Sequence, residues 1–461
     1  MLEHHDNKIL NGVIWKQLLI FFFPIMLGTL FQQLYNTADV AIVGRYAGKL
    51  ALAAVGGPSA LIINLLINFF VGLCSGATVV VAQVYGSGDE KRLSTAIHTA
   101  MWMGLVLGGA LSVVGYFVSE WILVMMGTPE EMLGLSASYL KIYFTGTVFT
   151  FVYNMGTSVL RAVGDSRRPF WVLVAATTIN VALDLLFIVT FGWGVAGAAS
   201  ATVLSQAVSA AGVVFFMVRE EEVPPLRLAP LMRPNFTEIH NVVRIGFPAG
   251  IQSAMYSISN ICIQSCINTL GVDTVAAWAT YSKVDRLYWS VTSAFTIALA
   301  TFAGQNFGAR KYDRVYSSMR SGGVLALIYT LAFSSLYIAF GDSINGLFTE
   351  DPEVIRIAGK IVWMMVPWYV LYVPIDALAG GMRGTGDSLV PMVATIIGVC
   401  GFRLMWIWCV VPFNYSLHTI LTGYPISWGL TATFFIYYYY RGDWMERSIE
   451  RRRRCEKNRS F

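Results

Sequence analysis

Gln32, Tyr35, Asn36 and Asp39 fall at i, i+3, i+4 and i+7, so a helix carries all four on one face. The surrounding residues 17–44 are otherwise rich in Leu, Ile, Phe and Val and read as a membrane-crossing segment. An acid at the centre of such a helix costs roughly 2.5 to 3.5 kcal/mol, and it usually faces a bundle interior or a wet cavity. A polar stripe that ends in a carboxylate is suited to holding a cation or carrying a proton. A competing reading sets Asp39 at the outer headgroups, beside Arg45.

Other polar residues stand in similar apolar surroundings. Asn64 and Asn68 share one helical face, where they either line a cleft or bond between helices. Asp376 is the single acid of its segment, and it is either a cleft residue or the partner of a base. Lys283, Asp285 and Arg286 read as a local ion-pair network, and Arg403 either pairs with Asp376 or snorkels. Trp278, Tyr281, Tyr288, Trp289, Trp363 and Trp368 can stack on flat cations, although interface anchoring and packing are the commoner uses of such residues. Cys262 and Cys266, one turn apart, read as small apolar packing residues, and no thiolate metal site or disulfide framework is expected from the six cysteines. His4 and His5 read as a solvated tail.

The elements that position these residues follow from composition. Of 461 residues, 56% are hydrophobic and only 13% are charged, against about 25% charged in a soluble domain. Segments near the ~20 residues needed to cross a bilayer recur from end to end. We count twelve, at 17–44, 51–82, 95–119, 133–159, 170–191, 195–218, 240–268, 275–305, 318–340, 355–380, 390–412 and 416–440. The first is too long for a signal peptide and lacks a cleavage site. The chain therefore reads as an all-α polytopic membrane protein with no large soluble domain, and nucleic-acid binding is excluded because the bases lie in loops and tails. Lys16, Lys91, Arg92, Arg167, Arg168, Arg227, Arg310, Lys311, Arg314, Arg441 and the run 451–454 fall on one side, while Glu120, Glu130, Glu131, Asp342 and Glu353 fall on the other. The positive-inside rule then places both termini in the cytoplasm. Residues 219–239 read as a cytoplasmic linker, and 441–461 as a basic tail at the membrane surface.

The chain also repeats itself at an offset of about 222 residues. Arg161-Ala-Val-Gly164-Asp165-Ser166-Arg-Arg-Pro169 matches Arg383-Gly-Thr-Gly386-Asp387-Ser388-Leu-Val-Pro391, and Gln83-Val-Tyr-Gly86 matches Gln305-Asn-Phe-Gly308. Phe23-Pro24 matches Phe247-Pro248, Ala53-Ala54 matches Ala276-Ala277, and Asn154 occupies the position equivalent to Asp376. Each repeat holds six spans, an even number, so the two lobes (1–218 and 240–440) are parallel copies. A substrate path is expected in the cleft at their interface. In the Gly-Asp-Ser loops, Gly is expected to end one helix, Asp or Ser to cap the next, and Pro to sit in its first turn.

With the duplicated Arg-x-x-Gly-Asp-Ser-x-x-Pro loops, the duplicated Gln-x-x-Gly segments and Asp39 in span one, the sequence resembles the multidrug and toxic compound extrusion (MATE) transporters, over essentially its whole length. The resemblance implies two six-helix lobes that rock about a cleft. It implies export of lipophilic, often cationic small molecules in exchange for H⁺ or Na⁺, without a cofactor, by a monomer in the cell membrane. Within the family the chain is similar to the DinF-like branch, which implies a coupling site of Asp39, Asn180 and Asp184, with Thr202 as a neighbour. The glutamate expected in span seven of the NorM-like branch is missing from 252–260.

The residues support that site in part by themselves. Asn180 and Asp184 are one turn apart. Asp184 lies 16 residues past Arg168, about 24 Å along its helix, and Asp39 lies 23 past Lys16, about 34 Å. A tilt of span one brings both into the outer half of the membrane, where two carboxylates in a semi-dry pocket attract a cation. The runner-up is a flippase for lipid-linked oligosaccharides or precursors, which needs more intramembrane arginines than are present. A channel or membrane enzyme is the weaker reading, because the sequence shows no filter repeat, no metal-binding His/Glu cluster and no Ser/His nucleophile pair. A major-facilitator carrier shares the six-plus-six plan, but its Gly-x-x-x-Asp-Arg loop after span two is missing here, where the chain reads Gly86-Ser-Gly-Asp-Glu-Lys-Arg92.

Overall fold

The computed structural model describes residues 7–219 and 223–457. The His4–His5 tail, residues 220–222 of the linker and the last four residues of the basic tail lie outside the described residues. All regular structure among the described residues is helical, as expected of a chain that must satisfy every backbone amide within its own segments in lipid.

The twelve spans are present, and several are longer or more broken than a hydropathy window conveys. Span one runs Ile14–Ile42 and continues into a π turn, Val43–Ala47. A short helix, Lys49–Gly56, follows Gly48, whose φ of 91° favours glycine. Pro58 then opens span two, Pro58–Ser87. Span three is Glu90–Met125. Span four is two helices, Glu130–Thr145 and Thr147–Val163, broken at Gly146. Span five, Arg167–Asp184, ends in a π turn, Leu185–Thr190, and span six is Gly194–Val218. The second repeat has Phe236–Asn268, Val272–Gly308 and Tyr312–Ala339. Its span ten is interrupted by a 3₁₀ stretch, Val366–Leu371, and its span eleven by a π turn, Ile396–Gly401. Leu417–Arg441 is the twelfth, and the basic tail forms a further helix, Trp444–Lys457. Among the described residues nine segments qualify as membrane spans by length and hydropathy alone. The broken span four, the proline-containing span seven and span twelve complete the set.

The break in span four shows how a local backbone fault is accommodated. A Cβ on Gly146 would lie 2.5 Å from the Val203 side chain, so only glycine lets spans four and six approach there. The Val148 amide, close beyond the break, donates to Ser112 Oγ at 3.2 Å, and Ser112 also bonds the Thr147 hydroxyl at 2.9 Å. Gly104, Gly108, Ser112, Gly115 and Ser119 form a small-residue face on span three. Side chains of span four, including Met155, Phe151 and Phe144, pack against its glycines. Such faces draw helices together by close van der Waals contact where lipid removes the hydrophobic drive.

The chain forms two compact units. One is built on Ile20–Phe247, the other on Pro248–Phe461 together with Asp6–Leu19. Spans one and seven, the first of each repeat, therefore each begin in one unit and finish in the other. The core of the second unit is aromatic, with Tyr281, Tyr288, Tyr369, Trp428 and Phe435 fully buried.

The Gly-Asp-Ser loops differ in detail. Gly164 ends span four at φ 105°, and Asp165 Oδ1 accepts the amides of Arg167 and Arg168 at 3.0 and 3.1 Å. This is the expected cap. Gly386 also has a positive φ of 91°, but Asp387 instead accepts the Tyr438 hydroxyl at 2.9 Å and faces Arg451 of the tail helix at 3.5 Å.

Candidate functional site

In the first unit, spans one, four, five and six bring their polar residues to one place. Asp39 is 8% exposed, Asn180 and Asp184 are fully buried, and Thr202 is buried beside them. The Asp39 and Asp184 carboxyls face each other at interaction range without a hydrogen bond of ordinary geometry. Asn180 turns its amide nitrogen to Ser205 Oγ, 3.4 Å away, and Ser205 gives its own proton to the Thr202 carbonyl at 2.8 Å. That arrangement leaves the Asn180 carbonyl oxygen free.

Five buried oxygens consequently have no hydrogen-bond partner: Asp39 Oδ1, both Asp184 carboxyl oxygens, Asn180 Oδ1 and Thr202 Oγ1. Buried polar atoms are nearly always satisfied, so such a concentration calls for an explanation. All five are hard oxygen acceptors, the donor chemistry that takes a proton or an alkali cation.

Local backbone geometry positions the two acids. Asp39 sits one turn before the π turn 43–47, and Asp184 is the last α-helical residue before the π turn 185–190. The two turns pack against each other. π turns recur at functional sites because the extra residue re-aims neighbouring side chains. Val43 and Ile188 of these turns pack with Ala51, Val55, Val195 and Ala198 in a buried apolar cluster that also includes Tyr139.

Three phenols border the acids. Tyr35 approaches the Thr202 hydroxyl, and Tyr139 and Tyr143 of span four lie within electrostatic range of the carboxyls or of Tyr35. Tyr139, Tyr143 and Ser205 were not singled out from the sequence. The available signals were the i, i+4 spacing of the two tyrosines and the i, i+3 pair Thr202/Ser205 in a helix otherwise rich in Ala and Val. Asp39 does not pair with Arg45, which is exposed and lies near the Tyr46 ring.

The other candidates are not gathered there. Gln32 and Asn36 of the stripe are exposed, while Tyr35 and Asp39 turn inward. Asn64 and Asn68 are exposed as well. Asn154 donates to the Thr150 carbonyl of its own helix at 2.8 Å. In the second unit Asp376 interacts with Arg383 and Thr296, and Arg383 also donates to Gln252 at 3.1 Å.

The ion-pair network expected of Lys283, Asp285 and Arg286 is not formed. Asp285 Oδ1 accepts from the Trp289 indole at 2.9 Å, from the Tyr281 hydroxyl at 3.2 Å and from the Tyr369 hydroxyl. Lys283 lies over the Phe348 ring and Arg286 bonds the Ser282 carbonyl. Positions 283 and 285 are about 200° apart around a helix, so the pairing was geometrically poor from the start. Arg403 does not pair with Asp376. It is buried over the Tyr424 ring at 3.9 Å and reaches Ser427 Oγ at 3.3 Å. Trp363 and Trp368 are exposed, as suits interface anchors, whereas Tyr281 and Tyr288 are packed in the core.

A duplicated set of six membrane helices is a plan on which many membrane transporters are built. The MatE family profile matches residues 24–186 and again 248–408, one match per repeat, and the chain belongs to that family of multidrug efflux transporters. "Probable multidrug resistance protein YoeA" of Bacillus subtilis (strain 168) is 30% identical over 453 residues, spanning 95% of this chain and 96% of that protein. "Probable multidrug resistance protein NorM" of Thermotoga maritima is 25% identical, spanning 96% of each. Among solved structures, an outward-facing multidrug resistance MATE family transporter of the MOP superfamily aligns with a TM-score of 0.87 at 22% identity. That alignment covers 95% of this chain and 97% of the other, and at that identity it speaks to the fold.

Proposed function

We propose that this protein is a secondary antiporter that exports lipophilic, often cationic compounds in exchange for H⁺ or Na⁺, with Asp39, Asn180, Asp184 and Thr202 as its coupling site. The observation that carries the reading is the set of five buried oxygens without donors. A proton or sodium ion entering that set would offset one of the two facing carboxylate charges and supply the oxygens with a partner. An ion that binds one conformation better than another shifts the population toward it by its differential affinity. Binding at Asp39 and Asp184 thereby favours release of the drug outward and return to the inward state.

In this reading the lobes are 1–218 and 240–440, joined by the linker 219–239 and followed by the tail 441–461, with both termini in the cytoplasm. The protein works as a monomer in the cell membrane and takes its substrates from water or lipid. Within the site the carboxylates carry the exchangeable charge, Asn180 and Thr202 contribute neutral oxygens, and Ser205 orients the Asn180 amide.

The test is efflux of ethidium from vesicles under an imposed pH or sodium gradient, comparing wild type with Asp39→Asn and Asp184→Asn. Each variant is expected to lose gradient-driven efflux by about tenfold or more, equivalent to at least ~1.4 kcal/mol. Full gradient-driven efflux in both variants would sink the coupling site.

A further inference from the structure

Arg92 and Arg314 are 222 residues apart, the offset of the internal repeat, and each is the third residue of its helix. Each grips the segment that leads into the first span of the opposite repeat. Arg92 Nε donates to Glu238 Oε1 at 3.0 Å, where the Glu238 side chain is 4% exposed. The same lead-in is held twice more, by Arg227 N donating to His98 Nε2 at 2.9 Å and Asn235 N donating to Thr99 Oγ1 at 3.1 Å.

Arg314 Nη2 donates to the carbonyls of Ile9 and Gly12 at 3.1 and 2.8 Å. Lys311 donates to the Leu10 carbonyl at 3.1 Å and to Asn11 Oδ1 at 2.7 Å, and Asn7 donates to Gln305 Oε1 at 3.3 Å. Residues Lys8–Asn11 form a single helical turn, whose terminal carbonyls have no intrahelical donors and are met here by two cations.

The arrangement is reciprocal. The second repeat holds the lead-in of span one, and the first repeat holds the lead-in of span seven. Beyond each grip, the chain passes from one compact unit into the other within the span that follows, at Leu19/Ile20 and at Phe247/Pro248. The bonds themselves are polar and charge-assisted, and Arg92 keeps 27% of its side chain exposed. Water therefore reaches the arginine end of the first grip, while the buried Glu238 carboxylate keeps the Asn241 amide as a second donor when Arg92 lets go.

We propose that the two grips are paired clasps that release and re-form in each transport cycle, with Arg92 and Arg314 as their keepers. Transport by alternating access requires contacts that form in one state and break in another. Two equivalent arginines, each holding the other repeat's crossing helix, supply such a pair without involving the oxygen-lined site.

The test uses the full chain in proteoliposomes, in a background with its six native cysteines replaced, and follows downhill equilibration of ethidium with no ion gradient. Downhill flux needs no ion gradient to drive it, so this experiment stands even if Asp39 and Asp184 prove not to couple. Arg92→Cys with Glu238→Cys, and separately Asn11→Cys with Lys311→Cys, are bridged by a reductant-cleavable bis-maleimide. Bridging either pair is expected to slow flux by about tenfold or more, and cleavage to restore it. Flux unchanged by bridging overturns the proposal, and so does a loss that cleavage fails to reverse.

A second arm needs no substrate. Amide exchange of residues 226–238 is expected to rise several-fold in Arg92→Glu and to return to the wild-type level in Arg92→Glu combined with Glu238→Arg. Equal exchange in all three proteins counts against a clasp.

Discussion

The candidate site rests on single atoms, and Thr202 provides its sharpest test. Its hydroxyl is buried and meets no donor in ordinary hydrogen-bond geometry, with the Tyr35 hydroxyl nearby, so a purely structural role gives it little to stabilise. Thr202→Val keeps the shape and removes the oxygen. Thermal stability is expected to hold or to rise by up to ~1 kcal/mol, because a buried unsatisfied group disappears. The sodium or proton concentration that half-saturates efflux is expected to rise several-fold. Unchanged ion dependence in vesicles would remove Thr202 from the coupling set. At this scale Asp39, Asn180 and Asp184 were legible, because an acid or amide in an apolar helix has an energetic cost that needs a reason. Tyr139 and Tyr143 were not, since a tyrosine near a helix end reads equally well as an interface anchor. Asp285 reads as an ion-pair partner because its neighbours in sequence are charged, although two of its donors, Tyr281 and Trp289, stand at i−4 and i+4 on its own helix. Only Tyr369, from another segment, was hidden.

Elements were legible as spans and illegible as backbone detail. Hydropathy averages over some twenty residues, whereas the break at Gly146 and the π turns after Ile42 and Asp184 involve five or six. Yet those faults aim the acids and free the Val148 amide. Close helix contact was equally hidden. Gly76 of span two meets span seven so tightly that a Cβ would lie 2.3 Å from the Val242 carbonyl oxygen and 2.6 Å from the Gly246 amide nitrogen. Gly246 is as constrained, with the Leu73 carbonyl oxygen 2.2 Å from its added Cβ. Backbone atoms cannot move aside as a flexible side chain can, so Gly76→Ala is expected to cost about 1–3 kcal/mol, read as a lower unfolding midpoint in detergent. Gly109→Ala is the control. Nothing lies within 4 Å of its added Cβ, and it should be neutral or slightly stabilising. If both substitutions behave alike, the contact of spans two and seven is looser than described.

Across the whole molecule, duplication produced two similar sets of helices whose equivalent residues have taken different work. Span seven keeps Gln252, Tyr256, Ser259 and Asn260, but the position aligned with Asp39 is Ile263, now fully packed. The Gly-Asp-Ser loops diverged in the same manner. Asp165 caps its own helix, and its salt bridge with Arg168 has side chains 22% and 42% exposed, a surface pairing worth ~0–1 kcal/mol. Asp387 is 0% exposed and joins the tail helix through Arg451. Around it Thr385 bonds Ser448 at 3.3 Å, Arg452 donates to the Phe307 carbonyl at 2.6 Å, and Trp444 is 1% exposed. The basic tail, which by charge alone reads as a surface feature, is thus fastened to the second unit along one face. Asp387→Asn keeps an acceptor for Tyr438 but removes the charge facing Arg451, and it is expected to loosen the helix Trp444–Lys457 by about 1–3 kcal/mol. In a local-opening regime, trypsin cleavage among residues 447–454 then accelerates in proportion to the open population, roughly fivefold or more for 1 kcal/mol. Asp165→Asn, its counterpart in the first repeat, should leave cleavage of the tail unchanged. Digestion of the purified protein followed by mass spectrometry reads both variants side by side. Equal tail cleavage in the two would mean that Asp387, despite its burial, does no more for the second repeat than Asp165 does for the first.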